Sequence, residues 1–237
     1  MKCSACGANS CIREVPVFKG LPEVERKAVE AIVDTRHYMR GSVIFREGEP
    51  SDSLYIVRSG LIKLTQGSKE GRQHVLRFLF PGDYFGQFAL LHQKKNYVNA
   101  EVVEGGGICR IHRDEFLPLL EQSAALSYSF LMSLSEQLHQ ADEQAGAMHI
   151  LEVEKRLARL ILYLYSRNDA DLYVTEGNPV IQLPAAKKEV AAMIGTSAET
   201  LSRKLGKFEA GRMIAMHRRR VEILDIGALR ELAEHAY

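Results

Sequence analysis

The stretch from Ser42 to His112 repeats one pattern, in which short apolar runs of strand length are separated by turn-forming residues. The runs show a period of two and are rich in Val, Ile, Leu and Tyr, which favour β-strands. Gly, Pro and Asp occupy the breaks between them, where tight turns form. The runs are SVIFR, SLYIVRSG, LIKLTQ, HVLRFLF, VNAEVV and ICRIH. Many short strands at regular spacing predict an antiparallel β-roll or sandwich.

Helical spacing flanks this strand-rich stretch. Residues 21–33 and 114–121 fit short helices, and Ser123 can cap a longer helix that runs to about Met148. Apolar residues of the longer helix recur at alternating steps of three and four, the spacing of a two-helix seam. We therefore expect a dimerisation helix with the interface residues Leu131, Leu134, Leu138, Ala141, Ala145 and Met148. The alternative is an amphipathic helix packed on its own core.

The C-terminal part of the chain has the pattern of a winged helix-turn-helix. Residues 152–166 form an amphipathic helix, and KKEVAAMI and AETLSRKLGKFEAG form two short helices on either side of the break GTS. Thr196 and Glu199 stand three apart as a capping box, which marks the start of the second short helix. Two such helices joined by a Gly-containing turn predict a helix-turn-helix. MIAMHRRRVEILDI then fits a β-hairpin with a basic tip, a wing, and residues 226–235 fit a final small helix.

Three side chains of the second short helix are candidates for contacts with DNA bases. Glu199, Ser202 and Arg203 stand at i, i+3 and i+4, so they share one face near the N-terminal end. Recognition helices contact base edges with this end. Arg203 can donate bidentately to guanine, Glu199 can accept from cytosine N4, and Ser202 is an adaptable partner. The alternative is an ordinary surface ion pair between Glu199 and Arg203.

The distribution of charge favours a contact with nucleic acid. The whole chain carries a net charge of +1, whereas residues 187–220 contain nine Lys or Arg and three Glu, a net of +6. Such side chains would contact phosphates, which supply affinity without sequence readout. The candidates for contacts with the DNA backbone are Lys187, Lys188, Thr196, Ser197, Lys204, Lys207, Arg218, Arg219 and Arg220.

Length and composition indicate a two-domain globular protein. The chain has 237 residues, of which 46% are hydrophobic and 26% charged. We expect a sensor domain at residues 1–122, a dimerisation helix and hinge at 123–150, and a DNA-binding domain at 151–237. No apolar run approaches the roughly 20 residues that span a bilayer, and the polar N-terminus does not resemble a signal peptide, so we expect a cytoplasmic protein without membrane contact. The sequence shows no nucleophile–base pair, phosphate loop or catalytic carboxylate pair, so we do not expect an enzyme.

The four cysteines are unevenly distributed. Cys3, Cys6 and Cys11 lie within nine residues of each other, and Cys109 lies in the run ICRIH. In a reducing cytoplasm such a cluster more often binds metal or senses redox state than forms structural disulfides. The eight histidines show no metal-ligand spacing, so the cysteine sulfurs are the candidate ligands.

A β-roll, a long helix and then VAAMIGTSAETLSRKLGKFEAGRMI resemble Crp/Fnr-type transcription regulators over nearly the whole chain. The resemblance implies a mixed α+β fold with a cupin-like antiparallel β-roll of the cyclic-nucleotide-binding type, a dimerisation helix and a winged helix-turn-helix. The pattern E-x-x-S-R, here Glu199, Ser202 and Arg203, is similar to the Fnr branch, whereas the cyclic-AMP branch has Arg where Ala198 stands. Fnr-type regulators bind inverted repeats of TTGAT-like half-sites. The resemblance therefore implies a homodimer on double-stranded DNA, with RNA polymerase as a further partner.

The segment FGQFALLHQKKNYVNAEV differs from the cyclic-nucleotide branch at the positions that hold the ligand. That branch has a cassette resembling G-E-L-A-L, followed by Arg-Ser some ten residues on, which binds the sugar and phosphate. Gln87 replaces the Glu of the cassette, and Tyr97 and Val98 replace the Arg and Ser. Without the Arg, nothing in that register neutralises a cyclic phosphate, so we do not expect a cyclic nucleotide.

The cysteine pattern is similar to that of oxygen-sensing Fnr proteins, which bind an iron–sulfur cluster. The first gap, Cys3-x2-Cys6, is the same, the second, Cys6-x4-Cys11, is one residue shorter than usual, and the fourth cysteine, Cys109, again lies late in the β-roll. The resemblance implies that Cys3, Cys6, Cys11 and Cys109 hold a cluster, a [4Fe–4S] by preference, since four thiolates complete such a site.

Other interpretations of the cysteines stay open. The four could bind zinc, although structural zinc sites usually use two close pairs. Cys6 or Cys11 could form a switchable disulfide with Cys109, or Cys109 could be an ordinary core residue. A metal-storage role for the cysteine tail, with a protein-binding winged helix, is a further alternative of a different class.

Overall fold

The computed structural model of the protein describes residues 15–67, 73–167, 173–175, 178–183 and 186–234. Cys3, Cys6 and Cys11 lie outside these residues. The chain divides into two compact units, Met1–His139 and Gln140–Tyr237. None of the helices described is long and apolar enough to cross a membrane. The division into three functional parts expected from the sequence stays a prediction.

The first unit is built on eight strands. They form two four-stranded sheets, with the orders β1-β8-β3-β6 and β2-β7-β4-β5, and all pairs are antiparallel. The strands are β1 Val33–Tyr38, β2 Val43–Phe45, β3 Ser53–Val57, β4 Leu61–Gly67, β5 Gln73–Leu79, β6 Tyr84–Phe85, β7 Asn99–Glu104 and β8 Gly106–His112. The antiparallel β-roll expected from the sequence is therefore confirmed.

The sheet β1-β8-β3-β6 is buried on both faces. One face carries Tyr55 and Phe85, whose rings stack at 5.2 Å in a cluster shared with the other sheet. The other face carries Ile56, Cys109 and Ile111, which pack against helical and N-terminal segments in a second cluster. Because side chains alternate along a strand, neighbouring residues of β8 belong to different clusters.

The helices of the first unit are α1 Glu23–Ala31, α2 Gln87–His92 and α3 Arg113–Gln122, and a 3-10 turn spans Pro16–Phe18. Helix α4, Ala124–Ile150, begins in this unit and ends in the next. Ser123 Oγ accepts a 3.1 Å hydrogen bond from the backbone N–H of Leu126, which confirms the predicted cap. Leu126 and Phe130 anchor α4 in the cluster that contains Cys109.

Strands β1 and β6 and helix α2 of the first unit were not expected from the sequence. Strand β1 lies between α1 and β2 and was not expected, because its residues VDTRHY show no alternation of apolar and polar residues and none of them is fully buried. The break between the runs HVLRFLF and VNAEVV was expected to form turns, yet its segment PGDYFG contributes β6, and Gly86 is the N-cap of α2. Gly86 has a φ of 88°, and a Cβ there would lie 2.7 Å from the carbonyl oxygen of Ser53, so this junction requires glycine.

The second unit is a winged helix-turn-helix. Its helices are α5 Val153–Arg167, α6 Lys187–Met193, α7 Ala198–Ala210 and α8 Ile226–Glu234. Its strands are β9 Tyr173–Thr175, β10 Asn178–Gln182, β11 Ile214–His217 and β12 Arg220–Ile223, in the order β11-β12-β10-β9. Leu157, Ile161, Leu201, Leu205 and Phe208 are buried in this unit. The two predicted short helices and the hairpin after them are therefore present.

Candidate DNA-binding surface and cysteine site

The turn between α6 and α7 depends on one glycine conformation and on one hydrogen bond from α5. Gly195 has a φ of 61°, a conformation that costs glycine little, and it follows Ile194, the C-cap residue of α6. The guanidinium Nε of Arg156 in α5 donates a 2.8 Å hydrogen bond to the carbonyl of Ile194. A cation at this carbonyl also suits the negative end of the α6 dipole.

Helix α7 begins one residue later than the sequence pattern indicated. The N-cap is Ser197, whose Oγ accepts a 3.1 Å hydrogen bond from the backbone N–H of Thr200. The predicted capping box of Thr196 and Glu199 is therefore wrong. The hydroxyl of Thr196 or of Ser197 could have capped α7. The backbone N–H of Thr196, however, donates a hydrogen bond to the carbonyl of Ala191 and keeps Thr196 in the turn.

The three candidate base-contacting residues lie together on the outside of α7. Glu199, Ser202 and Arg203 are exposed, whereas Leu201, Leu205 and Phe208 on the opposite side are buried. Arg203 donates to Thr200 Oγ1 at 3.3 Å. Among the described residues no ion pair joins Glu199 to Arg203, so the two side chains do not neutralise one another.

The candidate phosphate contacts have different surroundings. Lys187 and Lys188 are exposed in the first turn of α6, and Lys187 Nζ lies 3.4 Å from Ser202 Oγ, which places this cation beside the base-contacting face. Arg218 and Arg220 are exposed in the wing. Arg219 differs, because its guanidinium donates hydrogen bonds of 2.9 and 2.7 Å to the carbonyl of Leu183 and so connects the wing to the end of β10.

Two further cations of α7 are bound to one carboxylate. Oε1 of Glu154, in the first turn of α5, accepts hydrogen bonds from Lys204 Nζ at 2.7 Å and from Lys207 Nζ at 2.9 Å. These bonds, first that of Lys204 and then that of Lys207, hold the pKa of Glu154 below its ordinary value. The sequence analysis did not identify Glu154, since 50 residues separate it from Lys204 and no short-range spacing signals the contact.

Cys109 lies in the middle of β8, on the sheet face that the helices cover. Its side chain is fully buried, and its Sγ lies 3.3 Å from Oγ1 of Thr35, its partner residue on β1. It belongs to the same buried cluster as Val15, Val17 and Phe18, the first described residues after the cysteine-bearing tail. No group of three or more candidate metal ligands occurs within the described part of the chain. Cys3, Cys6 and Cys11 do not belong to that part.

The N-terminal segment of residues 15–18 connects this cluster to α4. Ser129 Oγ of α4 donates a 2.7 Å hydrogen bond to the carbonyl of Val17. Val15, Val17 and Phe18 are each at most 1% exposed. A change that displaced this segment would therefore expose apolar surface next to both Cys109 and α4.

The residues that replace the nucleotide-binding cassette make other contacts. Gln87 Nε2 donates to Gln137 Oε1 of α4 at 3.0 Å, and Gln137 Nε2 donates to the carbonyl of Tyr84 at 3.3 Å. Tyr97 is half exposed and packs edge-on against Phe88, while Val98 is buried inside the roll.

Helix α4 presents an apolar face to solvent. Leu131 and Leu138 are 63% and 65% exposed, and Ala141 and Ala145 are exposed too. Leu134 instead packs partly on the cluster of its own unit, and the side chain of Met148 lies outside the description. Tyr128 and Met132 are also exposed on α4, and the sequence analysis missed them although Tyr128 stands three residues before Leu131.

Known proteins share this architecture. Residues 35–123 match the family model of the cyclic nucleotide-binding domain, and residues 155–232 match that of the Crp-like helix-turn-helix domain. The chain is a Crp/Fnr-type transcription regulator. The regulator is 27% identical to flp of Lacticaseibacillus casei over 226 residues, which cover 95% of the regulator and 99% of flp.

Two further relatives come from Thermus thermophilus. The cyclic AMP receptor protein of this organism is 27% identical over 218 residues, or 92% of the regulator and 96% of the receptor. The crystal structure of a transcriptional regulator of the CRP/FNR family matches with a TM-score of 0.66 at 26% identity, over 86% of the regulator and 100% of that chain. The expected fold class is thereby confirmed, and the regulator belongs to a family of DNA-binding transcription regulators and not of enzymes.

Proposed function

We propose that the regulator binds, as a homodimer, an inverted repeat of TTGAT-like half-sites. The observation that carries this proposal is the exposed group of Glu199, Ser202 and Arg203 beside the helix N-terminus capped by Ser197. Arg203 would donate to guanine, Glu199 would accept from cytosine, and Ser202 would adapt to its neighbour base. Lys187, Lys188, Arg218 and Arg220 would contact phosphates on either side, and Thr196, Ser197 and Arg219 would support them.

A dimer through α4 accounts for the exposed apolar face of that helix. Leu131, Leu138 and Ala145 are spaced by seven residues, the repeat of a two-helix seam. Ala141, Leu134, Met148, Tyr128 and Met132 would extend the contact on its flanks. A two-fold dimer matches an inverted repeat, whose half-sites lie one DNA turn apart, about 34 Å. RNA polymerase would then be the partner of the DNA-bound dimer.

Cys109 is the candidate for the fourth thiolate ligand of an iron–sulfur cluster. The sulfur is a soft donor, and the residues packed in its cluster are those that directly follow the tail with the other three cysteines. Only the residues between Cys11 and Val15 separate the nearest tail cysteine from this cluster, a span of at most about 14 Å of extended chain. Cys11 is therefore within reach of the cluster that contains Cys109.

On this basis the regulator senses oxygen through Cys3, Cys6, Cys11 and Cys109. These four thiolates would hold a [4Fe–4S] cluster, which when bound supplies an oxygen-reactive iron centre. The chain's own contribution is to connect Cys109 to the dimerisation helix through the segment of residues 15–18 and the Ser129–Val17 hydrogen bond. When the tail is released, this segment loses its anchor and α4 loses a support on its cluster-facing side.

A cyclic nucleotide is not the effector in this proposal, although a relative is named a cyclic AMP receptor protein. The carboxamide of Gln87 is engaged with α4, and Tyr97 and Val98 offer no charge for a phosphate. Calorimetric titration with cyclic AMP and cyclic GMP should give no heat of binding, and tight binding of either would refute this part of the proposal.

Two measurements test the proposed function. Protein purified without oxygen should contain iron and acid-labile sulfide, with a visible absorption band that bleaches in air and is missing in Cys109→Ser. Stoichiometric zinc in place of iron, or a disulfide of Cys109 in protein without iron, would refute the iron–sulfur sensor. In a gel shift, the oxygen-free protein should bind an inverted TTGAT-like repeat in preference to a scrambled duplex, and equal binding would refute sequence-specific readout.

A further inference from the structure

Glu154 occupies an unusual place for an acidic residue in a DNA-binding domain. Its carboxylate is only 14% exposed, and a single oxygen binds the ammonium groups of both Lys204 and Lys207, whose side chains are 33% and 65% exposed. Both lysines were expected to contact phosphates. With Glu154 bound between them, the three groups together carry one positive charge where two were expected.

The geometry of α7 shows why this matters. Lys207 follows Arg203 by four residues, so it lies on the same side of the helix as the candidate base-contacting group. Lys204 lies nearer the buried side and faces α5. Glu154 thus holds one cation at the edge of the base-contacting face and a second cation on the flank behind it.

We propose that Glu154 is a specificity-determining residue, which keeps Lys204 and Lys207 from binding the DNA backbone. Contacts with phosphates supply sequence-independent affinity, and each one steepens the fall of log K with log salt by about 0.9. In a non-specific complex the protein can shift on the DNA until any accessible cation contacts a phosphate. In the specific complex α7 is fixed in one register. Restraining the two lysines therefore weakens binding to non-target DNA more than binding to the target.

This inference rests on the proposed orientation of α7 towards DNA. It does not depend on which repeat is recognised, because its main observable is binding to DNA of random sequence. A failure to prefer the TTGAT-like repeat would overturn the proposed target, whereas the effect of Glu154 on random DNA would remain measurable.

The test compares Glu154→Gln with the matched control Glu152→Gln. Both variants remove one negative charge near the start of α5, but Glu152 is exposed and makes no ion pair with any residue the structure describes. We measure the dissociation constant of the full-length, oxygen-free protein for a random 30-base-pair duplex between 50 and 200 mM salt. Far-UV circular dichroism and thermal unfolding verify that both variants are folded.

Glu154→Gln should bind the random duplex several-fold more tightly and increase the magnitude of its salt slope by about 1 to 2, while Glu152→Gln changes the slope far less. The ratio of target to random affinity should fall. Equal behaviour of the two variants would reduce the effect to net charge and overturn the proposal. Weaker binding by Glu154→Gln would also overturn it, since Glu154 would then orient the lysines towards phosphates.

The double variant Lys204→Gln/Lys207→Gln provides an independent check. In the natural protein it should lower the magnitude of the salt slope on random DNA by clearly less than about 1.8, because both ammonium groups are bound to Glu154. In the Glu154→Gln background the same pair should remove the whole gain. A loss of about 1.8 in slope from the double variant in the natural protein would show that the lysines bind phosphates regardless of Glu154, and would overturn the proposal.

Discussion

Ser129 in α4 donates a 2.7 Å hydrogen bond to the carbonyl of Val17, although 112 residues separate them in the chain. The contact joins the helix with the exposed apolar face to the segment that follows the cysteine-bearing tail. Phe18 of that segment and Phe130 of α4 belong to the cluster that surrounds Cys109. Any signal that begins at the cysteines thus has a short, packed route to α4.

Ser129→Ala tests that route. Removing the hydroxyl leaves the carbonyl of Val17 without this bond, and we expect a loss of about 1 kcal/mol in the free energy of unfolding. Amide hydrogen exchange of residues 15–18, followed by mass spectrometry, should become faster. The matched control is Ser127→Ala, which removes a bond from α4 to the carbonyl of Leu120 and not to the N-terminal segment. Equal exchange of residues 15–18 in both variants would contradict a specific role for Ser129.

Arg203→Ala tests base readout. If Arg203 donates to guanine, the variant should lose about 1–3 kcal/mol of binding to the TTGAT-like repeat and most of its preference over scrambled DNA. Lys188→Ala is the comparison, since a phosphate contact should weaken binding to all duplexes alike and lower the salt slope by about 0.9. Fluorescence anisotropy on both duplexes distinguishes the outcomes. An equal loss of affinity for both duplexes in Arg203→Ala would show that Arg203 contacts the DNA backbone and not a base.

The helix-turn-helix was predictable because its signals are local. A cap, a glycine turn and an apolar spacing of three and four all lie within a few residues of each other, and the structure contains both helices and the wing. The predicted cap was nevertheless one residue early, since Thr196 and Ser197 carry the same chemistry. Only the backbone bond from Thr196 to Ala191 decides between them.

Contacts between distant parts of the chain were not predictable. Glu154 and Lys204 are brought together by the packing of α5 against α7, and Ser129 and Val17 by the packing of α4 on the first residues described. β1 was missed for a related reason. Its side chains are only partly buried, so pairing with β8 and not its own apolar pattern makes it a strand.

The pH dependence of stability should report the contact of Glu154 with the two lysines. Because the folded-state pKa of Glu154 is lowered, its stabilising contribution is fully present above the ordinary value of 4.5 and is lost as the pH falls through the lowered value. For a contact that is partly open to solvent we expect about 1 kcal/mol or less. Urea unfolding of the natural protein and Glu154→Gln should therefore differ at pH 7 and converge as the pH falls below the lowered pKa of Glu154. A constant difference across this range would contradict the ion-pair origin.

The apolar face of α4 predicts how dimerisation can be strengthened. Leu131 and Leu138 supply large side chains, whereas the seam continues with the smaller Ala141 and Ala145, and the acidic residue Asp142 lies among them. Like charges near a two-fold axis repel, so we expect a weak seam that a modest signal can shift. Ala141→Leu/Ala145→Leu adds apolar surface there and should tighten the dimer.

With a tighter seam, DNA binding should persist after exposure to air. Analytical ultracentrifugation gives the dimer constant, and gel shifts before and after air give the oxygen dependence. Gln140→Leu is the control, because Gln140 is also exposed but lies on the opposite side of α4 from Leu131 and Leu138, so it should change neither measurement. The natural protein is proposed to dimerise and bind DNA only without oxygen. If the double variant does the same, the small side chains of Ala141 and Ala145 do not explain the oxygen response of the regulator.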